Sequence, residues 1–144
     1  MDCYAVVKYV YENFEEFGID QNSISIYGES AGGYMACGVS MILAQKKESN
    51  IVKTVFMDMP MIYAGWLRDA ETMNEVEQNW KDQHLAGMKL LCTDHEAQFA
   101  SKDPFIFPAE MDKELLKLVP NTVVMTREFD FYRADAEYYA ERLQ

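Results

Sequence analysis

Long apolar runs are missing from this chain of 144 residues. None approaches the roughly 20 consecutive apolar residues that a bilayer-crossing helix needs, so a transmembrane segment is not expected. Positive charge is also scarce. Lys and Arg number 13 against 24 Asp and Glu, giving a net charge of −11 and a pI near 4.5. That balance argues against nucleic acid and against anionic membrane surfaces as partners. Cysteine is sparse and odd in number: Cys3, Cys37 and Cys92 lie far apart, which excludes a disulfide framework and points to a reducing compartment. With His84 and His95, the two histidines, these cysteines form no spacing that resembles a zinc site, and neither metal nor other cofactor is expected. The start carries no secretory pattern, because Met1 is followed at once by Asp2 and an amphipathic helix. Together these features predict a cytoplasmic protein. There are no internal repeats and no low-complexity segments.

What remains is the composition of a folded core, with 49% apolar and 13% aromatic residues and a length of about one domain. Asp2 to Phe17 reads as a helix with Tyr4, Val7, Val10 or Tyr11, Phe14 and Phe17 along one stripe, stopped by Gly18. Ser23–Tyr27 reads as a strand, Ala31–Lys47 as a helix with Met35, Val39, Ile42 and Leu43 as apolar positions, and Asn50–Pro60 as a second strand. From Met61 to Val119 the pattern is helical and amphipathic, with Trp66, Leu67, Met73, Val76 and Trp80 as candidate anchors and a short helix at "EMDKELLKLV". Asn121–Thr126 reads as a third strand and Arg133–Gln144 as the last helix. Strands alternating with helices imply parallel pairing through right-handed crossovers.

One short stretch carries chemistry. In "SIYGESAGGYMA", Gly28, Ser30 and Gly32 fall where a strand must reverse sharply into a helix. A serine in such a corner is strained, and flanking glycines are needed because a Cβ would strike the neighbouring strand or helix. Its hydroxyl then stands near the positive end of the following helix, and the amide of Ala31 points at a developing oxyanion. The competing reading is a glycine turn with an incidental serine. A second stretch, "MDMPMIY" (Met57–Tyr63), has two readings as well: core at a strand end, or the adaptable lining of an acyl pocket.

Three segments together resemble the α/β-hydrolases of the hormone-sensitive-lipase and arylacetamide-deacetylase type, a family of carboxylesterases. Asp2–Gly33 is similar to that family's helix, strand and elbow in order and spacing. "KDPFIFP" (Lys102–Pro108) resembles the Asp-Pro segment returning from the cap to the core. Val119–Leu143 resembles the next strand, the acid-bearing loop and its helix. The region from Pro60 to Ser101 matches only loosely. Two positions depart from the pattern: Glu29 stands where Asp is usual, and Phe131 where the acid loop usually has proline. The resemblance implies an incomplete three-layer α/β-hydrolase fold, with about three parallel strands, flanking helices and a helical cap. Residues 1–144 would be a partial domain, with 61–119 as cap and return segment. It implies Ser30 as nucleophile, Asp130 as triad acid, Ala31 as an oxyanion donor, and Gly28, Glu29, Gly32 and Gly33 as the elbow. The substrate implied is a small-molecule ester with a small apolar acyl group.

The order of the triad in this fold is serine, acid, histidine. After Asp130 only fourteen residues follow, none of them histidine, and His84 and His95 fall in the cap region, where they read as surface or packing residues. No HGGG-type loop precedes the helix that begins near Asp2. A serine without its base loses most of its activation. A narrow parallel sheet also leaves both outer edges unpaired, so a partner chain or self-association is expected to cover them. Two functions are therefore open: a serine esterase completed by further sequence, or a catalytically inactive hydrolase-like subunit.

Overall fold

In a computed structural model, the chain folds around three parallel strands, β1 (Ser25–Glu29), β2 (Thr54–Asp58) and β3 (Asn121–Met125), in the order β1-β2-β3. The structure describes residues 1–62, 74–91, 97, 100–130 and 132–144, without the side chains of 77, 84, 85 and 87–91. The helices are α1 (Asp2–Glu12), α2 (Ala31–Lys46), α3 (Glu75–Leu91), α4 (Lys113–Leu116) and α5 (Arg133–Arg142). The register aligns Glu29, Asp58 and Met125 across the C-terminal edge of the sheet. Open parallel sheets place their chemistry at that edge.

The parallel α/β layout expected from the sequence is present, with local corrections. β1 starts two residues later than Ser23, because Asp20 folds Gln21–Ser23 into a 3-10 turn by accepting the Asn22 amide at 2.9 Å and the Ser23 hydroxyl at 3.0 Å. β2 is shorter than Asn50–Pro60, since Ser49–Ile51 is also a 3-10 turn. α1 ends at Glu12, well before Phe17. The Asn13 side chain donates to the Tyr9 carbonyl at 2.8 Å and closes the helix, and Gly18, at φ 62°, makes a later turn instead. Within α2, Val39 and Leu43 are buried as expected, but Met35 is exposed. Of the expected cap anchors, Val76 and Trp80 are exposed, while Trp66, Leu67 and Met73 lie outside the described residues.

The period-two alternation of the strands decides where the core sits. Ile26, Val55, Met57 and Val124 pack with Tyr4, Val7 and Tyr11 of α1, with the buried side of α2 and with Tyr139 of α5. The opposite face carries Tyr27, Phe56, Val123 and Met125, which are 65%, 40%, 42% and 42% exposed. All the helical packing around this sheet, among the described residues, is therefore on one face. The return segment belongs to the core: Phe107, Pro108, Ala109 and Met111 are buried, Arg142 of α5 donates to the carbonyls of Ala109 and Met111, and the Tyr34 hydroxyl donates to the Phe105 carbonyl at 2.5 Å.

Burial also fixes the chemistry of Cys37, which meets Tyr139 in the core. Loss of solvent pushes its thiol from 9.0 up to about 12, against a smaller downward pull from the Tyr139 hydroxyl. The folded thiol thus keeps its proton where an unfolded one ionises. Its contribution to stability is intact below pH 9 and declines as pH rises from 9 towards 12, by up to roughly 1.4 kcal/mol per pH unit. Urea titrations at pH 8, 9, 10 and 11 should show the parent losing stability relative to a Cys37→Ala variant. Native-state iodoacetamide at pH 8 should modify exposed Cys3 and spare Cys37.

Candidate active site

β1 runs into α2 through a single residue, Ser30, whose backbone sits at φ 53°, ψ −116°. A side chain there costs of order 1–3 kcal/mol, so the surroundings must hold it in place. They do so from three directions. The Ser30 amide donates to the Asp58 carbonyl at 2.9 Å, and the Ser30 carbonyl accepts from the amides of Tyr34 at 3.2 Å and Met61 at 3.1 Å. The glycines around it have different reasons to be glycine. A Cβ on Gly28 would lie 2.2 Å from the Gly32 carbonyl oxygen, and one on Gly33 would lie 2.8 Å from Pro60 Cβ. Gly32, read from the sequence as sterically required, has open space where its Cβ would stand. The elbow therefore rests on Gly28 and Gly33, with Pro60 as the wall. Glu29 ends β1 and is exposed.

Ala31 is the first residue of α2, so its amide belongs to the helical turn that has no intrahelical acceptor and faces the positive end of the helix dipole. Asp130 follows β3 by five residues. Its amide donates to the Arg127 carbonyl at 3.2 Å, and its Oδ1 accepts the Tyr132 amide at 3.0 Å. That second bond is an Asx turn leading into α5. Asp130 thus shapes the entry to α5, and it also borders the cleft.

Ser30 and Asp130 line one cleft of about 460 Å³ at the C-terminal end of the sheet, together with Met59, Trp80, Arg127 and Phe129. The wall is mostly apolar. The resemblance paired Ser30 with Asp130 in one site but gave no indication of the wall. Met59 was within reach as part of the methionine-rich stretch, whose two readings now divide: Met57 and Ile62 are core, whereas Met59 borders the cleft at φ 45°. Arg127 and Phe129 stood in the acid loop without a motif to mark them. His84 lies on the described backbone of α3, but its side chain, like His95, Cys92 and Phe131, is outside the described residues. Among the described residues no cluster of His, Cys, Asp and Glu could hold a metal ion.

The unequal steric roles of the glycines are testable. Gly28→Ala should destabilise the chain by about 1–3 kcal/mol through its clash with the Gly32 backbone. Gly32→Ala, which enters open space in the first turn of a helix, should be neutral or stabilising by up to about 1 kcal/mol. Urea denaturation of the two variants beside the parent reads both.

The alpha/beta hydrolase fold family matches residues 1–144, the whole chain. An arylesterase of Saccharolobus solfataricus is 26% identical over 151 residues, which take in 99% of this chain and 45% of that protein. Among solved structures, brefeldin A esterase, a bacterial homologue of human hormone-sensitive lipase, superposes with a TM-score of 0.76 at 25% identity, covering 99% of this chain and 40% of its own. A fungal esterase from Rhizomucor miehei superposes with a TM-score of 0.80 at 23% identity over 98% of this chain and 43% of its own, a likeness of fold. The chain spans less than half the length of these relatives. From elbow to acid loop, and along its entire length, it belongs to the α/β-hydrolase fold family.

Proposed function

We propose that this chain carries the nucleophile and the acid of a serine carboxylesterase acting on small apolar acyl esters. The observation that supports this most is the strained Ser30, held at a sheet-to-helix corner beside the same cleft as Asp130. Ser30 Oγ attacks the ester carbonyl carbon, and the Ala31 amide receives the oxyanion. Asp130 accepts a hydrogen bond from the Nδ1–H of a histidine, fixes its tautomer and stabilises the imidazolium that forms when the histidine takes the serine proton. The imidazolium gives that proton to the departing alcohol, and the base so freed activates a water that releases the acid and restores Ser30. Met59, Trp80 and Phe129 supply an apolar wall suited to the acyl or alcohol group. Residues 61–119 act as a cap and the segment returning from it to the core, a reading supported by α3 carrying Trp80 to the cleft.

The histidine and the second oxyanion donor come from polypeptide beyond these 144 residues, either in a longer chain or in a partner. Physical support comes from the sheet. Parallel sheets are stable with both faces covered, yet Tyr27, Phe56, Val123 and Met125 form an open apolar face, and β1 and β3 are outer strands among the described residues. The completing polypeptide would cover that face. The scarcity of cysteine pairs suits a reducing, cytoplasmic setting, and among the described residues no helix is long and apolar enough to cross a membrane.

Fluorophosphonate treatment of the protein as isolated from its source, read by intact mass and peptide mapping, tests the assignment. A single adduct on Ser30, lost in Ser30→Ala, is expected. Expressed alone, the 144-residue chain should hydrolyse p-nitrophenyl acetate at least about 10³-fold more slowly than the completed protein, because it lacks the base. A folded, complete protein that leaves Ser30 unmodified would overturn the proposal.

A further inference from the structure

The buried acid at the end of β2 has no part in the chemistry just described. Asp58 is only 8% exposed, on the side of the strand opposite the core residues Val55 and Met57. A carboxylate so placed is costly unless it is paired. Its partner is Arg127, whose Nη2 lies 2.9 Å from Oδ1 and 3.2 Å from Oδ2. The Tyr27 hydroxyl adds a long contact of 3.4 Å to Oδ2. The strand pairing does not require this ion pair, since β2 is already laddered to both neighbours.

What the pair joins is more informative. Asp58 reaches the nucleophile through its main chain: its carbonyl accepts the Ser30 amide at 2.9 Å. It reaches the acid loop through its side chain, by way of Arg127, whose own carbonyl accepts the Asp130 amide at 3.2 Å. One residue on the middle strand therefore links the corner after β1 to the loop after β3. Neighbouring backbone bonds run the same way: Met59 donates to the Met125 carbonyl at 2.9 Å, and Met61 to the Ser30 carbonyl at 3.1 Å. We infer that Asp58 and Arg127 are positioning residues, a clamp that sets the separation of Ser30 from Asp130. Its catalytic meaning rests on the roles proposed above for those two residues. The reason to build such a clamp is that a misplacement of about 1 Å in a catalytic constellation can cost roughly a hundredfold in rate.

Amide hydrogen exchange followed by NMR on the 144-residue chain tests the coupling without relying on activity. Asp58→Asn preserves shape and removes the charge; Arg127→Met removes the other partner. Each should accelerate exchange at the Asp130 amide by about tenfold relative to the amides of α2. The double variant should go no further than either single one, and Arg127→Lys should restore part of the protection. Unchanged exchange at Asp130, or equal acceleration at every amide, would overturn the clamp. In the completed protein, Asp58→Asn should slow fluorophosphonate labelling of Ser30 at unaltered thermal stability. Equal labelling of parent and variant would count against the clamp. An unlabelled parent would defeat the esterase assignment, and the exchange result would still decide the coupling.

Discussion

A serine at positive φ between a strand and a helix is the constraint on which this structure turns. The conformation is unfavourable for any residue with a Cβ, and it persists because its neighbours leave no alternative. Gly28 lets the α2 backbone come within 2.2 Å of where a Cβ would be, Gly33 lets Pro60 close from the other side, and three backbone hydrogen bonds fasten the Ser30 peptide groups. The partners in those bonds come from β2, from α2 and from the segment after β2. The elbow is thus a property of three elements and not of the pentapeptide motif alone.

That dependence explains why the core is arranged as it is. α2 must stand directly on β1 and β2, so its inner surface is small and tightly buried: Ala36, Cys37, Ser40 and Ala44 accompany the larger Val39, Met41 and Leu43. α1, the return segment and α5 close around α2 on the same face of the sheet. The other face, with Tyr27, Phe56 and Val123 in register across three strands, is apolar and, among the described residues, exposed. Ser30 and Asp130 share an edge because parallel strands all present their C-terminal ends there.

Much of this was legible in the residues. The alternation of strand and helix patterns predicted the parallel sheet, and the spacing of Gly28, Ser30 and Gly32 marked the corner, although the crowded glycines proved to be Gly28 and Gly33. Element ends were less legible where side chains compete with the backbone. Asp20 captured the start of β1 in a turn, and Asn13 ended α1 at Glu12, although the apolar stripe continued to Phe17. Exposure of Met35 was hidden for a different reason: helical periodicity identifies a face, but only the sheet decides which face is covered. The Asp58–Arg127 pair could not be foreseen, because the two residues are 69 positions apart and become neighbours only through strand register.

The central claim is that residue 30 is forced into a conformation a side chain resists, and one comparison addresses it most directly. At ordinary positions glycine is less stable than alanine by roughly 0.5–1 kcal/mol, because the unfolded chain gains freedom. Unfolding free energies of Ser30→Gly and Ser30→Ala, measured side by side in urea, should show the reverse order here, with glycine the more stable by about 1 kcal/mol. If alanine proves the more stable, the corner is unstrained and the account fails.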